Sequence, residues 1–307
     1  MQRITPFLWF DNNAEEAVNF YTSLFDNSNI AAVTRYNEQS ASASGQKSGA
    51  AMTISFQLEG QNFTALNGGP HFKLNQAISF FVYCESDEKI EKIFKKLSAD
   101  GEVIFPLDKY DWSKKYAWVV DKFGLSWQLD VDKINNKQKI LPAFLFVNDK
   151  VLKVKEAANY YSTVFPDSRI IMKWAYDKSA GLPKGTLLFI QFKLADYLFN
   201  AMSGQGEHNF DFNEAVSFVV NCKDQNEVDY YWNKLTSDGG TESRCGWLKD
   251  KFGVSWQIIP NRLIELLADP DPIKSQKVMM CMLQMKKIII SDLEGLIGLN
   301  SEISARQ

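Results

Sequence analysis

The sequence predicts an α+β protein made of two tandem, duplicated domains, each of two βαβββ modules, followed by a helical tail. Three observations carry this. The octapeptide DKFGLSWQ at 121–128 returns as DKFGVSWQ at 250–257. The order strand–helix–strand–strand–strand, read from hydrophobic periodicity, recurs four times. The stripe Ile90, Ile93, Phe94 and Leu97 reappears 138 positions later as Val228, Tyr231, Trp232 and Leu235. The 307 residues are enough for domains at 1–132 and 139–260, each able to bury a core, with 261–307 as an extension.

The first strand is ITPFLWF at 4–10. A polar break at Asp11-Asn12-Asn13 then offers Asn12 with Glu15, or Asn13 with Glu16, as a cap for the helix that follows. That helix carries Ala14, Ala17, Val18, Tyr21, Leu24 and Phe25 at helical spacing. Strands follow at 30–36, 51–60 and 62–67, and the Ser/Ala/Gly-rich stretch 37–49 is expected to be a mobile loop at a cavity rim. The second module begins with AISFFVYC at 77–84; Ser86 opens its helix, and strands near 102–107, 116–120 and 125–131 complete it. In each octapeptide a tight turn with glycine at positive φ leads into an alternating strand. Trp127 and Leu129 should share one face of the first copy, Ser126 and Gln128 the other.

Beyond a polar linker at 131–139, KILPAFLFV starts the third module. Its helix ends in YYSTVFPDSRI, matching FYTSLFDNSNI at 20–30. The fourth module opens with AVSFVVNC at 215–222 and lacks a counterpart of KYDWSKKYAW, which shortens the offset by nine. In the tail, NRLIELLADPDP reads as a short helix stopped by prolines, and a longer helix is expected over about 273–290 with Val278, Met282, Met285 and Ile289 on one stripe. Ser291 with Glu294 would cap a last short helix. The methionine-rich stripe reads as a packing surface.

Composition narrows the function classes. Hydrophobic residues are 45% and charged residues 23%, with net charge −3 and no basic cluster, so neither nucleic acid nor an anionic membrane is an expected partner. No apolar run approaches the roughly 20 residues of a membrane span. The start MQRITPFLWFDNNAEEA has no basic, apolar and cleavage regions of a leader, so a cytoplasmic location is expected. Cys84, Cys222, Cys245 and Cys281 form no CxxC pair and read as free thiols.

ITPFLWFDNNAEEAVNFYTSLF, FTALNGGPHFKLNQAISF and the two DKFGxSWQ turns resemble the PhnB-like family of the vicinal oxygen chelate superfamily, the glyoxalase/bleomycin-resistance fold. That family often carries the label 3-demethylubiquinone 3-methyltransferase. The likeness covers 1–260 in two copies. It implies a pseudo-dimer within one chain, with a homodimer also open, and in each domain two modules whose sheets curl around one cavity. Metal-binding members of the superfamily would place ligands at Thr5, Ala77, Gln128 and Asn67 in the first domain. The second-domain positions would be Pro142, Ala215, Gln257 and Ser203. A divalent transition metal wants imidazole, carboxylate or thiolate, and these positions supply none, so no metal or other cofactor is expected. His71 and His208 lie in the loops GGPHF and GEHNF, several residues before their strands.

Without metal, the first cavity is expected to be lined by Phe7, Trp9, Ser79, Phe81, Ser126 and Gln128. The second would take Phe144, Phe146, Ser217, Val219, Ser255 and Gln257. Aromatic walls with a few amides and hydroxyls suit a small molecule of mixed polarity. Thr5, Phe7, Trp9, Asn67, Ser79, Gln128, Phe144, Phe146, Ser217 and Gln257 are the candidate ligand-binding residues, with Gln128 and Gln257 as polar anchors. No catalytic residue is assigned: two histidines leave no Ser-His-Asp set. A methyltransferase of the usual kind would need a glycine-rich loop after its first strand, whereas LNGGP at 66–70 follows a late one. The expected function is binding of an unidentified small molecule. The alternative is an enzyme of the same superfamily, a lyase, isomerase or transferase on a small substrate.

Overall fold

A computed structural model describes residues 2–132, 137–177 and 180–296. The first module comprises β1 (Ile4–Phe10), α1 (Ala14–Leu24), β2 (Asn29–Arg35), α2 (Glu38–Ser44), β3 (Ala51–Leu58) and β4 (Gln61–Asn67). The second has β5 (Ile78–Cys84), α3 (Asp87–Leu97), β6 (Glu102–Tyr110), β7 (Ser113–Val120) and β8 (Ser126–Val131). The third has β9 (Ile140–Phe146), α4 (Val154–Val164), β10 (Arg169–Ala175), β11 (Leu187–Leu194) and β12 (Tyr197–Ser203). The fourth has β13 (Val216–Cys222), α5 (Gln225–Thr236), β14 (Thr241–Glu242), β15 (Trp247–Lys249) and β16 (Ser255–Pro260). The tail supplies α6 (Asn261–Leu267) and α7 (Pro272–Met282).

Four βαβββ modules are therefore present, as the periodicity predicts, and the fold is mixed α+β. The differences are local. The stretch 37–49 is not all loop: Asn37 and Ser40 form a reciprocal capping box, and Gly45 closes α2 in the left-handed region at φ 70°. Neither Asn12 nor Asn13 caps α1 with its side chain. The Ala14 amide instead donates to Asn67 Oδ1 at 2.8 Å, a partner from β4 that local sequence cannot reveal. The long tail helix stops at Met282, and residues 290–296 are helical again. Among the described residues no helix is long and apolar enough to cross a membrane.

The chain divides into two compact units, one of residues 6–216 and one of residues 1–5 with 217–307. The larger unit contains a complete eight-stranded sheet in the order β10-β11-β12-β9-β5-β8-β7-β6. Its centre is the antiparallel pair β5–β9, with Phe81 opposite Leu141 and Ser79 opposite Ala143. The same unit holds the run β1-β4-β3-β2 of the first module. Modules two and three thus share a sheet. Pairing of modules one and two around one cavity, expected from the sequence, is not what forms.

The reason lies in which faces are already used. Modules one and two meet through their helix-bearing faces: Trp127 packs on Tyr21 and Phe25 of α1, and Phe80 of β5 meets Phe63 of β4. With that face of β5 committed, its free edge goes to β9. Asp121 anchors the junction: its buried carboxylate accepts from Tyr21 Oη, Trp127 Nε1 and the Phe123 and Leu125 amides. Gly124, at φ +89°, makes the turn that aims those amides inward.

In the smaller unit the strand order is β14-β15-β16-β13. The nine missing residues leave β14 and β15 only 2 and 3 residues long. The tail covers what is left. The Cys245 and Gly246 amides donate to Met285 O and Lys286 O at 2.8 and 2.7 Å. Leu263, Leu266, Val278, Ile288 and Leu293 form a buried cluster against which Ile259 of β16, Met282 and Met285 pack. The methionine stripe is a packing surface, as its composition predicts.

Candidate functional site

The sheet of modules two and three is curled. Gln191 of β11 donates to the Tyr83 hydroxyl of β5 at 3.1 Å, yet β12 and β9 lie between those strands. In a flat sheet three strand spacings are about 14 Å. A tyrosine and a glutamine bridge that span only if the sheet bends toward them, so their face is the concave one. Directly opposed residues share a face. The register therefore assigns to this surface Ser79, Phe81, Tyr83, Gln128, Asp130, Tyr116, Trp118, Leu141, Ala143, Gln191 and Asn200. Phe81, Tyr83, Tyr116, Leu141, Ala143 and Leu198 pack into one cluster there, with Phe105, Tyr110, Trp118 and Met202 at its margin.

Two polar groups are sunk into this apolar floor. On the second-module side, Gln128 Oε1 accepts from the Tyr116 hydroxyl at 2.6 Å and Gln128 Nε2 donates to Ser79 Oγ at 2.8 Å. Beside them Trp118 Nε1 donates to Ser126 Oγ at 2.7 Å. On the third-module side, Gln191 Nε2 also donates to Asn200 Oδ1 at 3.1 Å. The Asn200 amide lies beside the Tyr83 hydroxyl, but its Nδ2 makes no hydrogen bond. Burial pushes the Tyr83 phenol up to about 12 and the Tyr116 phenol higher still, so both remain neutral donors at any physiological pH.

Asp130 completes the face. It opposes Tyr83 on one side and Tyr116 on the other. Burial raises its carboxyl above the ordinary value, against the hydrogen bond from Ser113 Oγ. No cation pairs with it among the described residues.

The sequence-predicted residues divide among different places. Ser79 and Gln128 meet on the concave face, and Ser217 and Gln257 meet in the smaller unit, where Gln257 Nε2 donates to Ser217 Oγ at 3.0 Å. Phe7 and Trp9 lie on β1, away from the β5–β9 sheet, so the expected grouping of Phe7 and Trp9 with Ser79 and Gln128 does not form. Trp9 packs on Phe72 and donates to Gly69 O at 2.8 Å. A Cβ on Gly68 would lie 2.3 Å from the Trp9 ring, so that glycine makes room for an indole. Thr5, part-buried on the same strand, belongs to the other unit.

Phe144 and Phe146 are on the opposite face from the one expected. Phe144 opposes Ile78 and packs on Tyr161, Phe199 and Phe212, while Phe146 packs on Phe212. The inward residues of β9 are Leu141 and Ala143. ILPAFLF is apolar on both faces, so composition does not mark the inner one. Asn67 is spent on the fold: besides holding α1, its Nδ2 donates to Ala51 O at 2.9 Å, and its backbone carbonyl accepts from Tyr36. Ser203 is spent likewise, donating toward Val151 O and Leu187 O.

The metal implied by the superfamily resemblance finds a poor fit here. Among the described residues no three His, Cys, Asp or Glu side chains come together. Of the mapped positions, Ala77 has no donor atom, Asn67 is committed to backbone, and Gln128 offers only a neutral amide already bonded to Tyr116 and Ser79.

Tyr83, Tyr116, Asp130, Gln191 and Asn200 were not singled out from sequence. Asp130 had a signal, being the next inward residue after Gln128. Gln191 and Asn200 had none without the pairing of modules two and three.

Comparison with known proteins places this geometry. The family model described as 3-demethylubiquinone-9 3-methyltransferase matches twice, over residues 2–130 and 138–259. The chain is similar to a solved putative 3-demethylubiquinone-9 3-methyltransferase, PhnB protein, from Bacillus cereus. The two are 43% identical over 43% of this chain and 100% of that one, at a TM-score of 0.40. A protein from Staphylococcus aureus is 33% identical over 43% of this chain and 98% of its own, at a TM-score of 0.18. Glyoxalase I from Zea mays shares the fold at a TM-score of 0.56, with 11% identity, over 87% of this chain and 95% of that one. No curated protein matches.

Proposed function

The chain belongs to the PhnB-like family described as 3-demethylubiquinone-9 3-methyltransferase, in two tandem copies, within the glyoxalase superfamily, and from that premise we propose that it binds a small molecule on the concave face of the second- and third-module sheet. The carrying observation is the fully buried Asn200, whose Nδ2 has no partner although its Oδ1 accepts from Gln191, on a largely apolar floor. A buried amide donor left unpaired costs about 1–3 kcal/mol. A face meant only to close a core would hold a leucine there. An acceptor on a ligand would satisfy the group, with Gln128 and Tyr116 forming the second polar contact area opposite.

The corresponding strands of the other modules support the choice of this face. Where the third module has Phe189, Gln191, Leu198 and Asn200, the first has Thr53, Ser55, Asn62 and Thr64, with Thr34 and Thr53 bonded to each other at the surface. Where the second module has Asp130, the fourth has Ile259 beneath the tail. The binding role is therefore assigned to one sheet of the duplicated chain. Of the residues the sequence nominated, Ser79 and Gln128 belong to this site. A methyl-transfer role has no support from the 68–69 glycines, since the Trp9 ring fills the space beside Gly68 and its Nε1 takes the Gly69 carbonyl. An enzyme of the superfamily is the second reading, favoured by Asp130 between two tyrosines on the same face.

A thermal-shift screen of quinones and aromatic antibiotics, with native mass spectrometry of freshly purified protein, tests the proposal. A hit should raise the melting temperature of the native chain. Asn200→Leu should leave the unliganded protein as stable or more so while abolishing the shift. Gln128→Leu should weaken the hit about tenfold. Equal shifts in all three proteins would mean that the ligand sits elsewhere and that the assignment is wrong.

A further inference from the structure

The β6–β7 hairpin, Glu102–Tyr110 and Ser113–Val120, has no counterpart of its length in the fourth module. It carries a cluster of five aromatic rings. Phe105 stacks on Trp118 with ring centroids 6.0 Å apart and 13° between planes. Tyr110 stacks on Trp112 at 4.9 Å and 21°, and Tyr116 meets Tyr110 edge-on. Trp112 is 61% exposed, although its ring packs on two tyrosines. Across the same sheet, in the third module, Trp174 stacks on Phe189 at 5.2 Å and is 56% exposed. Phe189 lies two residues before Gln191 on β11, and thus on the concave face. Flat rings flank the floor at both margins of the sheet.

Between these margins lies Asp130, a carboxylate half-buried and free of any cation among the described residues. Lys115 of the hairpin is directed to Asp87 and Glu91 of α3 instead. A carboxylate opposed by Tyr83 and Tyr116 and bordered by exposed aromatic faces is complementary to a ring that carries positive charge. The ring quadrupoles attract the cation, and the carboxylate neutralises it.

We propose that the ligand of this face is a planar aromatic cation, held by charge at Asp130 and by stacking on the neighbouring Phe105–Trp118 rings. This rests on the reading of the face as a small-molecule site and adds the class of molecule.

Three acridines of nearly one shape separate the contributions: 9-aminoacridine, a cation at neutral pH; acridine, neutral; and acridine-9-carboxylate, an anion. Fluorescence titration of the full chain should give the order cation, neutral, anion, with at least tenfold between the first two. Asp130→Asn should weaken 9-aminoacridine about tenfold and leave acridine unchanged. The exposed Asp238→Asn should change neither, which separates a site from the general pull of a chain with net charge −3. Trp118→Leu should weaken all three. Equal affinities for the three acridines, no loss in Asp130→Asn, or an equal loss in Asp238→Asn would each overturn the proposal, as would binding of none. If all the acridines fail while a screen hit still depends on Asn200 and Gln128, the site stands and only the cation class falls. If no hit depends on those residues, the site itself falls.

Discussion

Asp121 and Asp130 are close in sequence, and their environments give them opposite tasks. Asp121 is nearly inaccessible and receives four donors from α1, the turn and Trp127. Asp121→Ala would orphan all four, so a loss of about 2–4 kcal/mol is expected in urea unfolding. Trp127→Ala should cost about 3–5 kcal/mol through the cavity left beside Tyr21, Phe25 and Phe80. Asp130 instead keeps one side-chain partner, and burial holds its carboxyl above the ordinary value. The sign of its pH effect follows. Between the unfolded value of about 3.9 and the higher native value, the folded state holds more protons than the unfolded chain. The contribution of Asp130 to stability is full below that window and is lost as pH rises through it. Asp130→Asn should therefore gain stability relative to the native sequence as pH rises from below about 3.9 through the native value. Paired urea titrations at several pH values would show a constant difference if the carboxyl were unperturbed.

At the scale of elements, polar side chains that look like site residues often hold the fold. Asn67 ends β4, yet its amide fixes both the α1 N-terminus and Ala51 of β3. Asn67→Ala should cost about 1–3 kcal/mol. It should also speed hydrogen exchange in the first turn of α1 while leaving α3, capped by its own Ser86, unchanged. Uniform acceleration in both helices would contradict a local role. The face of β9 was not legible because all seven of its residues are apolar and buried. β8 was legible because a tryptophan–glutamine alternation has only one sensible orientation: the indole against α1, the amide inward. The helix α2 lies in a low-complexity stretch whose Ser/Ala/Gly composition masks the Asn37–Ser40 capping box.

At the scale of the molecule, duplication and pairing are separate facts. The repeat delivers four modules, and β5–β9 then joins the second to the third. We propose residues 1–132 as a domain in its own right, in keeping with the family model that matches 2–130 and 138–259 separately. Cut at 132, that domain would expose the edge of β5 along Ile78–Val82, where β9 now pairs. Such an edge recruits another strand. The fragment is expected to elute as a dimer, and adding residues 139–260 in trans should shift it to a mixed complex. A monomeric fragment would show that β9 is not needed to satisfy that edge.

The sequence by itself determined the four modules, their order, the two aspartate–glycine turns, and the inward direction of Ser79 and Gln128. Each of these is written in a local period: 3.6 for the helices, 2 for the strands, and a fixed offset for the duplication. Only the tertiary structure decided which module shares a sheet with which, and therefore that Gln128 shares a sheet face with Asn200 and Gln191 rather than with Phe7 and Trp9. That choice depends on which strand edge and which apolar face remain free after the helix layers have packed. No window of adjacent residues records it.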